Sequence, residues 1–434
     1  MSKNITINVH HVTRIEGHGN IILNVKDGTI HELKWEVPEA PRFFEAMVRG
    51  RSYKDVHTIT SRICGICSIG HTLASVKATE NAMDIVISKR SQLMRHLAMQ
   101  AENLQSHVLH VGYLVAPDLF GVSSAISLLP QHPDVVKKVI SLHRLANEFS
   151  DFVVGRTIHP ITIIPGGFTY YPEESKFKEF KLKLEQALSV LGEVADVVLS
   201  VAHKLPDFSR CTEYVALVPF PESKDYPLYD GLVKSSLGNP FKASDYLSYI
   251  KEYVSPNSTA KYSRCLGDAY MVGALARFNL NSDILTPGAK ALAKKFGLQA
   301  PCYNPFMNNV AQLVECVFSI EYSIQMIDEL LTMGIQQEKV HVSPKAGKGA
   351  SAVEVPRGIL FHEYTYDEKG ICQGGNYVIP TNQNHANIQA DMEAFVPKLL
   401  AEGNDEKEIQ FKLEMLVRAR SEERRVGKEC RSRW

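Results

Sequence analysis

The sequence has no excess of charge of either sign, because its 48 Lys and Arg side chains balance its 48 Asp and Glu side chains. That balance gives no electrostatic reason to expect binding to nucleic acid or to an anionic membrane. No apolar run reaches the roughly 18 residues that would suggest a membrane span, and residues 1–6 begin no apolar secretory segment. We therefore expect a cytoplasmic protein with no membrane span and no nucleic-acid partner, although a folded subunit can be exported together with a partner that carries the signal.

Cysteine is scarce, with eight residues in a chain of 434, and most of them stand alone, which excludes a disulfide framework. The isolated cysteines are predicted to be buried small side chains or inert thiols: Cys211, Cys265, Cys302, Cys316 and Cys372. The chain also lacks internal repeats, low-complexity tracts and Gly/Ser linkers. Because no shift in composition marks a boundary, residues 1–419 are predicted to form one interlocked domain.

Apolar periodicity predicts an α+β fold, with an N-terminal β portion and a mainly helical body. Alternating apolar residues between 5 and 37 indicate strands, with a hairpin turn at Asp27-Gly28. A helix that starts near 89 is expected to stop at Pro117-Asp118. The 3.6-residue period and the end signals predict further helices: 41–51, a helix that follows the loop at Ser61 and runs to about 84, 134–155, 173–204, 310–333, and others near 262 and 288.

One stretch carries a compact set of soft metal ligands, and it reads SRICGICSIGH from Ser61 to His71. The spacing lets the sulfur atoms of Cys64 and Cys67 reach one metal, and thiolates favour soft or borderline transition metals. The motif alone also fits a zinc ribbon, a thioredoxin-like redox site or a chance buried pair. A zinc ribbon needs a second cysteine pair, and a thioredoxin motif follows a strand in a small βαβ domain. The chain has no second pair, and the helix-rich surroundings do not indicate such a domain.

Other segments accompany this motif in a fixed order. They read TRIEGHG from Thr13, VEVPRGILFHEY over 353–364 and GGNYVIPTNQNH over 374–385. Together with RICGICSIGH, they closely resemble the large subunit of nickel-iron hydrogenases, most of all the cytoplasmic, bidirectional or cofactor-coupled branch. The resemblance extends from about the N-terminus to Ala419 and implies the α+β fold of those subunits.

The resemblance implies a nickel-iron centre, with carbon monoxide and cyanide on the iron, and a magnesium ion. Cys64 would be a terminal ligand of nickel and Cys67 a bridging ligand between the metals, with His71 among the residues that bind the cofactor. Glu45 would help to hold magnesium, a role that carboxylates fill. The segment 374–385 would line the diatomic ligands and complete the magnesium site with a backbone carbonyl. The alternative for Glu45 is an exposed helix residue that pairs with Arg49, four residues further along the chain.

Three residues receive catalytic roles from the resemblance. Glu16 would be a buried proton relay, because burial raises the pKa of a carboxyl group towards neutrality. Asp118 would orient an arginine beside the metals, and Arg357, which is always charged, would overhang the open side of the metal pair. The alternatives are a surface-loop carboxylate, a simple helix-stopping turn and a surface arginine. His107 and His110 share a helix face and are predicted to form hydrogen bonds near the site rather than to bind metal.

The end of the chain departs from the family pattern. After a segment like the one ending at Ala419, family members continue Asp-Pro-Cys-x-x-Cys-x-x-His, whereas residues 420–434 read RSEERRVGKECRSRW. This basic stretch has one cysteine, Cys430, and no histidine, so the chain offers half of the four thiolates that bind nickel in the family. A charge block without periodicity predicts a disordered tail. Either foreign sequence has replaced the true end, which we favour, or an inactive relative has lost the ligands.

The resemblance implies a reversible oxidation of H2 to two protons and two electrons in the parent enzyme, and the chain as given is predicted to be inactive. No cysteine set for an iron-sulfur cluster is present, so the resemblance implies a small subunit that carries such clusters. Further subunits would couple to NAD(P), a deazaflavin or another soluble carrier. Two other classes stay open: a metal-free scaffold related to the quinone-site subunit of respiratory complex I, and a structural protein that binds one metal through Cys64, Cys67 and His71.

Overall fold

The computed structural model describes residues 4–15, 18–38 and 43–420. The strands are β1 (Ile5–Val9), β2 (Asn20–Lys26), β3 (Thr29–Glu36), β4 (Ile163–Ile164), β5 (Gly167–Phe168), β6 (Glu213–Val218), β7 (Leu232–Ser235), β8 (Lys251–Tyr253), β9 (Tyr262–Arg264), β10 (Tyr270–Met271), β11 (Gly347–Val355), β12 (Gly358–Tyr366) and β13 (Cys372–Val378). The helices are α1 (Phe43–Met47), α2 (Tyr53–Thr60), α3 (Ser68–Met83), α4 (Lys89–Leu109), α5 (Ala116–Phe120), α6 (Pro133–Val154), α7 (Glu174–Val201), α8 (Tyr246–Tyr249), α9 (Ala274–Asn281), α10 (Pro287–Lys295), α11 (Asn308–Met333), α12 (Pro380–Ala401) and α13 (Glu406–Arg420).

The chain begins with a three-stranded antiparallel sheet in the order β1-β2-β3. Its hairpin turn lies at Asp27 and Gly28, whose φ angles of 50° and 75° suit these residue types. Alternate residues of β2 point into the core, as Ile21, Leu23 and Val25 are at most 1% exposed. The predicted strands between 5 and 37, and the turn that joins two of them, are confirmed.

The helical body is built around α4, which packs against α6 and α11, while α7 packs against the same two helices. Every residue of α4 from Leu93 to Val108 is buried, polar side chains included. By contrast, α7 has the single apolar face that its sequence predicts, and Phe177, Phe180 and Leu184 on that face are buried. The protein is about 52% helical, so the predicted α+β class is confirmed.

Two predicted helix positions are wrong. The helix that starts at Lys89 does not stop at Pro117, because a π-helical turn over His110–Val115 leads directly into α5, which ends at Gly121 with φ of 68°. Pro117 lies in the first turn of α5, where the missing N–H costs no hydrogen bond. Near Tyr262 the chain forms strand β9 rather than a helix, since Tyr262 pairs with an aromatic residue of β8. The next helices along the chain are α9 and α10, the second of which was predicted.

The antiparallel sheet β11-β12-β13 lies on α3. The approach is close, because a Cβ atom at Gly347 would lie 1.9 Å from the Ala82 carbonyl oxygen of α3 and one at Gly349 would lie 2.3 Å from the Ala82 nitrogen. The sheet therefore brings the turn between β11 and β12 to the same helix that the cysteine motif precedes.

The segment Pro305–Met333 is long and apolar enough to cross a membrane, with a mean hydropathy of 1.2, although the sequence analysis identified no such span. Of its most apolar stretch, 78% is buried inside the protein. Burial on that scale is typical of a core helix, and α11 contacts α4, α7, α9 and α10.

Candidate active site

The cysteine motif forms a tight and buried loop. Cys64 follows the 3₁₀ turn Ser61–Ile63, and Cys67 directly precedes α3. Their Sγ atoms are paired at 2.50 Å, with the Cα atoms 5.5 Å apart, and the Cys67 amide donates a hydrogen bond to Cys64 Sγ at 3.2 Å. As thiolates, the two sulfur atoms would face one metal ion, and the amide and the helix N-terminus would favour their negative charge.

A buried glutamate that the sequence analysis did not identify supports the first turn of α3. Both carboxylate oxygens of Glu102, on α4, accept from the Gly70 amide, at 3.1 and 3.0 Å. Burial raises the pKa of Glu102 to about 8, against the opposing effect of the Gly70 and Ile69 amides and of the Arg357 charge. A Cβ atom at Gly70 would lie 2.1 Å from Val355 Cγ1. Thus α3, α4 and the strand before Arg357 meet beside the cysteine loop.

Arg357 lies in the turn between β11 and β12 and is 8% exposed, which excludes the alternative of a surface arginine. Its charge acts on the buried Glu102 carboxyl. The structure therefore brings Arg357 to the first turn of α3, close to the cysteine motif, while its role in the reaction stays a prediction.

Asp118 is bound by two arginines that are distant in sequence. Its Oδ1 atom accepts from Arg14 Nη2, and Arg418 Nε donates to Oδ2 at 2.7 Å while Arg418 Nη2 donates to Oδ1 at 3.1 Å. Arg14 belongs to the segment that leads to Glu16, and Arg418 lies in the last turn of α13. Asp118 therefore joins these two segments, and neither arginine was predicted as its partner.

The predicted cofactor ligand His71 is fully buried on α3. Its Nδ1 atom lies 3.1 Å from His362 Nε2 of β12, and His362 Nδ1 lies 2.9 Å from the Tyr364 hydroxyl. Burial lowers the pKa of His362 to about 3, so this ring is neutral near pH 7. His71 is thus part of a buried hydrogen-bonded contact between α3 and β12, and its place in the cofactor site stays a prediction.

His107 and His110 form hydrogen bonds within the core, as predicted. His107 Nε2 lies 2.7 Å from Glu315 Oε2. The two ring nitrogens of His110 lie 2.5 Å from Gln312 Oε1 and 2.8 Å from the Arg418 carbonyl oxygen. His110 therefore supports the same last turn of α13 that Asp118 holds.

Two predicted site residues remain, Glu16 and Glu45. Glu16 lies outside the described residues, and Glu45 is half-buried on α1. Within residues 4–15, 18–38 and 43–420, no three His, Cys, Asp or Glu side chains are placed to hold a metal ion. Of the isolated cysteines, which were predicted to be buried or inert, Cys316 and Cys372 are buried, Cys265 and Cys302 are half-buried and Cys211 is exposed. The described part of the chain thus offers two thiolates from Cys64 and Cys67, which is an incomplete fit to a four-thiolate centre.

We expect E102Q to gain stability relative to the native chain as the pH rises. The pKa of Glu102 is raised on folding, from 4.5 to about 8. Such a carboxyl group stabilises the fold fully at pH values below its pKa in the unfolded chain, and this contribution is lost as the pH rises through its pKa in the folded chain. Glutamine does not titrate, so the difference in unfolding free energy should move in favour of E102Q by up to roughly 4 kcal/mol. Urea unfolding at pH 5 and pH 8 measures it. E148Q on α6, at an exposed position, is the control, and equal behaviour of the two variants would contradict the prediction.

Comparison with known proteins provides a family for these features. Residues 42–154 match the family model described as nickel-dependent hydrogenase. The chain is 32% identical over 418 residues to the alpha subunit of sulfhydrogenase 1 of Pyrococcus furiosus, with 96% of each chain covered. It is 30% identical over 406 residues to one chain of the F420-non-reducing hydrogenase vhu of Methanococcus voltae, with 87% of this chain and 95% of the relative covered. It is 28% identical over 429 residues to the beta subunit of the NAD-reducing hydrogenase HoxS of Cupriavidus necator, with 89% and 86% covered.

Solved structures share the fold. An NAD+-reducing [NiFe]-hydrogenase in the H2-reduced state superposes with a TM-score of 0.87 at 23% identity, covering 96% of this chain and 98% of the other. A [NiFeSe] hydrogenase from Desulfovibrio vulgaris Hildenborough superposes with a TM-score of 0.77 over the same shares. Since the sequence similarity extends over almost the whole chain and the paired Cys64 and Cys67 lie in a fold shared with these enzymes, the chain belongs to the nickel-dependent hydrogenases, as a large subunit.

Proposed function

We propose that this chain is the catalytic large subunit of a nickel-iron hydrogenase that oxidises H2 reversibly to two protons and two electrons. The observation that carries the proposal is the buried pair of Cys64 and Cys67, 1% and 4% exposed, in a chain that matches the alpha chain of a sulfhydrogenase over 96% of its length. Two buried thiol ligands beside the buried Arg357 are suited to binding a transition metal. They are not suited to a structural metal site on the protein surface.

When bound, a nickel-iron centre supplies the cleavage of hydrogen. In this chain Cys64 and Cys67 would hold it, Arg357 would place a permanent positive charge beside it, and Glu16 would accept a proton. The described residues provide two thiolates where the centre needs four. Carbon monoxide and cyanide on the iron, and magnesium at Glu45, are further parts of the proposal.

The missing thiolates are explained by the tail, and we propose that residues 421–434 do not belong to the native subunit. α13 stays regular up to Arg420, where Asp391 and Asn387 bind the guanidinium group and the Asn308 amide donates to the Ala419 carbonyl oxygen at 2.9 Å. The helix end is therefore fixed in the core at the position after which the family resemblance predicts a second cysteine pair. Arg420 itself, which the sequence analysis counted with the tail, is the last residue of this helix.

An iron-sulfur small subunit is the proposed partner, because electrons need an exit that this chain lacks. The relative described as NAD-reducing supports further subunits that couple to NAD(P). Coupling to another soluble carrier and a cytoplasmic location are further parts of the proposal. The alternative of a single-metal structural protein is disfavoured, since His71 faces His362 and the described residues contain no three-ligand group. A metal-free scaffold is the second candidate, and it would require the tail to be genuine.

The test is to isolate the native complex from its source and to analyse the large subunit. We expect a C-terminal peptide with a second Cys-x-x-Cys in place of residues 421–434, roughly one nickel per large subunit, and hydrogen-dependent reduction of a viologen dye. A peptide that covers residues 421–434, in a complex without nickel and without dye reduction, would refute the hydrogenase function and support the scaffold.

A further inference from the structure

The turn that carries Arg357, residues 355–358, rests on the backbone just before α9. Val355 and Gly358 form the closing pair of the β11–β12 hairpin. Gly358 has φ of 134°, and a Cβ atom there would lie 2.8 Å from the Gly273 nitrogen. A Cβ atom at Gly273 would in turn lie 3.1 Å from the Arg357 carbonyl oxygen. The 355–358 turn and the start of α9 are therefore in direct backbone contact.

Arg277, one turn into α9, is fully buried and uses every N–H group of its guanidinium. Nε and Nη2 each donate to Glu315 at 2.6 Å. Nη1 donates to Glu354 Oε2 and to the Val355 carbonyl oxygen, both at 2.9 Å, and Nη2 also donates to the Pro356 carbonyl oxygen at 3.0 Å. An arginine side chain has five N–H donors, so two of the five are spent on the backbone immediately before Arg357.

The two carboxylates that hold this guanidinium are themselves fixed by the core. Glu315, on α11, accepts from the Tyr226 hydroxyl at 3.1 Å and lies 2.7 Å from His107 Nε2. Glu354 Oε1 accepts from the Leu217 amide at 2.8 Å. Burial raises the pKa of Glu354 to about 7, whereas for Glu315 burial is outweighed by the guanidinium, which lowers the pKa to about 2. The guanidinium is therefore held by at least one permanent negative charge and has no freedom to leave the turn.

We propose that Arg277 is a positioning residue for the hydrogenase reaction: by binding the Val355 and Pro356 carbonyl oxygens it fixes the 355–358 turn and thereby the direction of Arg357. The inference rests on the proposed function for its catalytic meaning. Lysine cannot replace Arg277, because its ammonium group has only three N–H donors. It cannot bind two carboxylates and two carbonyl oxygens in one plane as the guanidinium group does.

Arg95 provides a matched control within the same chain. It is equally buried and makes the same two-fold contact with a glutamate, as Nη1 and Nη2 donate to Glu80 at 2.6 Å each. Its other partners are the Tyr229 hydroxyl and the Ile164 carbonyl oxygen, which lie outside the 355–358 turn. R95K therefore reproduces the loss of stability that follows when a buried arginine loses its two-fold contact with a glutamate, and it leaves the 355–358 turn unchanged.

The experiment measures amide hydrogen exchange of the metal-free full-length chain, in the peptides that cover 355–361, for the native chain, R277K and R95K. We expect R277K to exchange roughly ten times faster than the native chain in these peptides, and R95K to differ by less than about twofold. E315Q, which keeps the shape of the core but weakens the hold on Arg277, should give an intermediate increase, and it decides the question if R277K does not fold. Equal increases in R277K and R95K, or no increase in R277K or E315Q, would overturn the inference.

A second readout separates this inference from the proposed function. In the assembled complex, R277K should lower kcat for hydrogen-dependent dye reduction by roughly tenfold, or 1.4 kcal/mol, and should leave KM for the dye unchanged. R357K should have the same effect. R95K should keep the native kcat. Absence of hydrogen activity in the native complex would remove the proposed function but not the exchange result. Native kcat in R277K would overturn the positioning role while the hydrogenase assignment stands.

Discussion

A chain in which residues 421–434 are replaced by Asp-Pro-Cys-x-x-Cys-x-x-His is expected to acquire about one nickel per chain, whereas the chain with its present end should acquire less than roughly a tenth of that amount. Cys64 and Cys67 supply two thiolates, and the graft would add two more. The graft would start from a fixed place, because Arg418 is bound to Asp118 and Arg420 to Asp391 at the end of α13.

The measurement is nickel content, followed by hydrogen-dependent dye reduction after expression with the partner subunits and the maturation system of a relative. The same graft carrying C64S and C67S should return to the nickel content of the ungrafted chain. C211S, at an exposed cysteine, should keep the full gain. A grafted chain that stays free of nickel would show that the second cysteine pair is not what the chain lacks.

The pattern of apolar residues in the sequence predicts those helices and strands that have one side against the core and the other towards solvent. The apolar face of α7 and the alternation of β2 are visible in the sequence because one side meets the core and the other meets solvent. In α4 the apolar period correctly predicts a helix but does not identify a buried face, since Leu93 to Val108 are buried on every side. A buried carboxylate such as Glu102 has no distinguishing period there, and the only signal in the sequence is that it is the one acidic residue of α4 and is followed by two histidines.

The partners of the site residues are beyond sequence patterns for a second reason. Arg14 lies 104 residues and Arg418 lies 300 residues from Asp118 along the chain, and no periodicity relates them. Arg277 is a similar case, because its two carboxylates come from α11 and β11. The family resemblance supplied the identities of Arg357 and Asp118, but the side chains that hold them are visible only once the chain is folded.

The π-helical turn over His110–Val115 shows how local signals mislead near a site. Pro117 and Asp118 together resemble a helix stop, yet the wider turn lets α5 continue, with Pro117 in its first turn. The wider turn precedes Asp118 directly, and π-helical turns are often found at functional sites. The irregularity thus occurs where the Asp118 carboxylate must reach both of its arginines.

D118A is expected to lower the free energy of unfolding by roughly 3 kcal/mol, because it removes the buried counter-ion that Arg14 and Arg418 share and leaves Arg418 only the less buried Glu414. The side chains of Asp118 and Arg418 are 2% and 1% exposed, and that of Arg14 is 17% exposed. Urea unfolding near pH 7 measures the change. The double variant D118A/R418M should recover part of the loss, since removing both members of a buried pair costs less than removing one.

The control is D328A, which breaks the contact of Asp328 with Lys181 at 2.6 Å, where the side chains are 53% and 27% exposed. Solvent screens that pair, so its removal should cost less than about 1 kcal/mol. Because Arg14 also donates to the Leu114 carbonyl oxygen at 2.7 Å, D118A should speed amide exchange in residues 4–15 without releasing the segment completely. Equal costs for D118A and D328A would contradict a stabilising role for the contacts that Asp118 makes with Arg14 and Arg418.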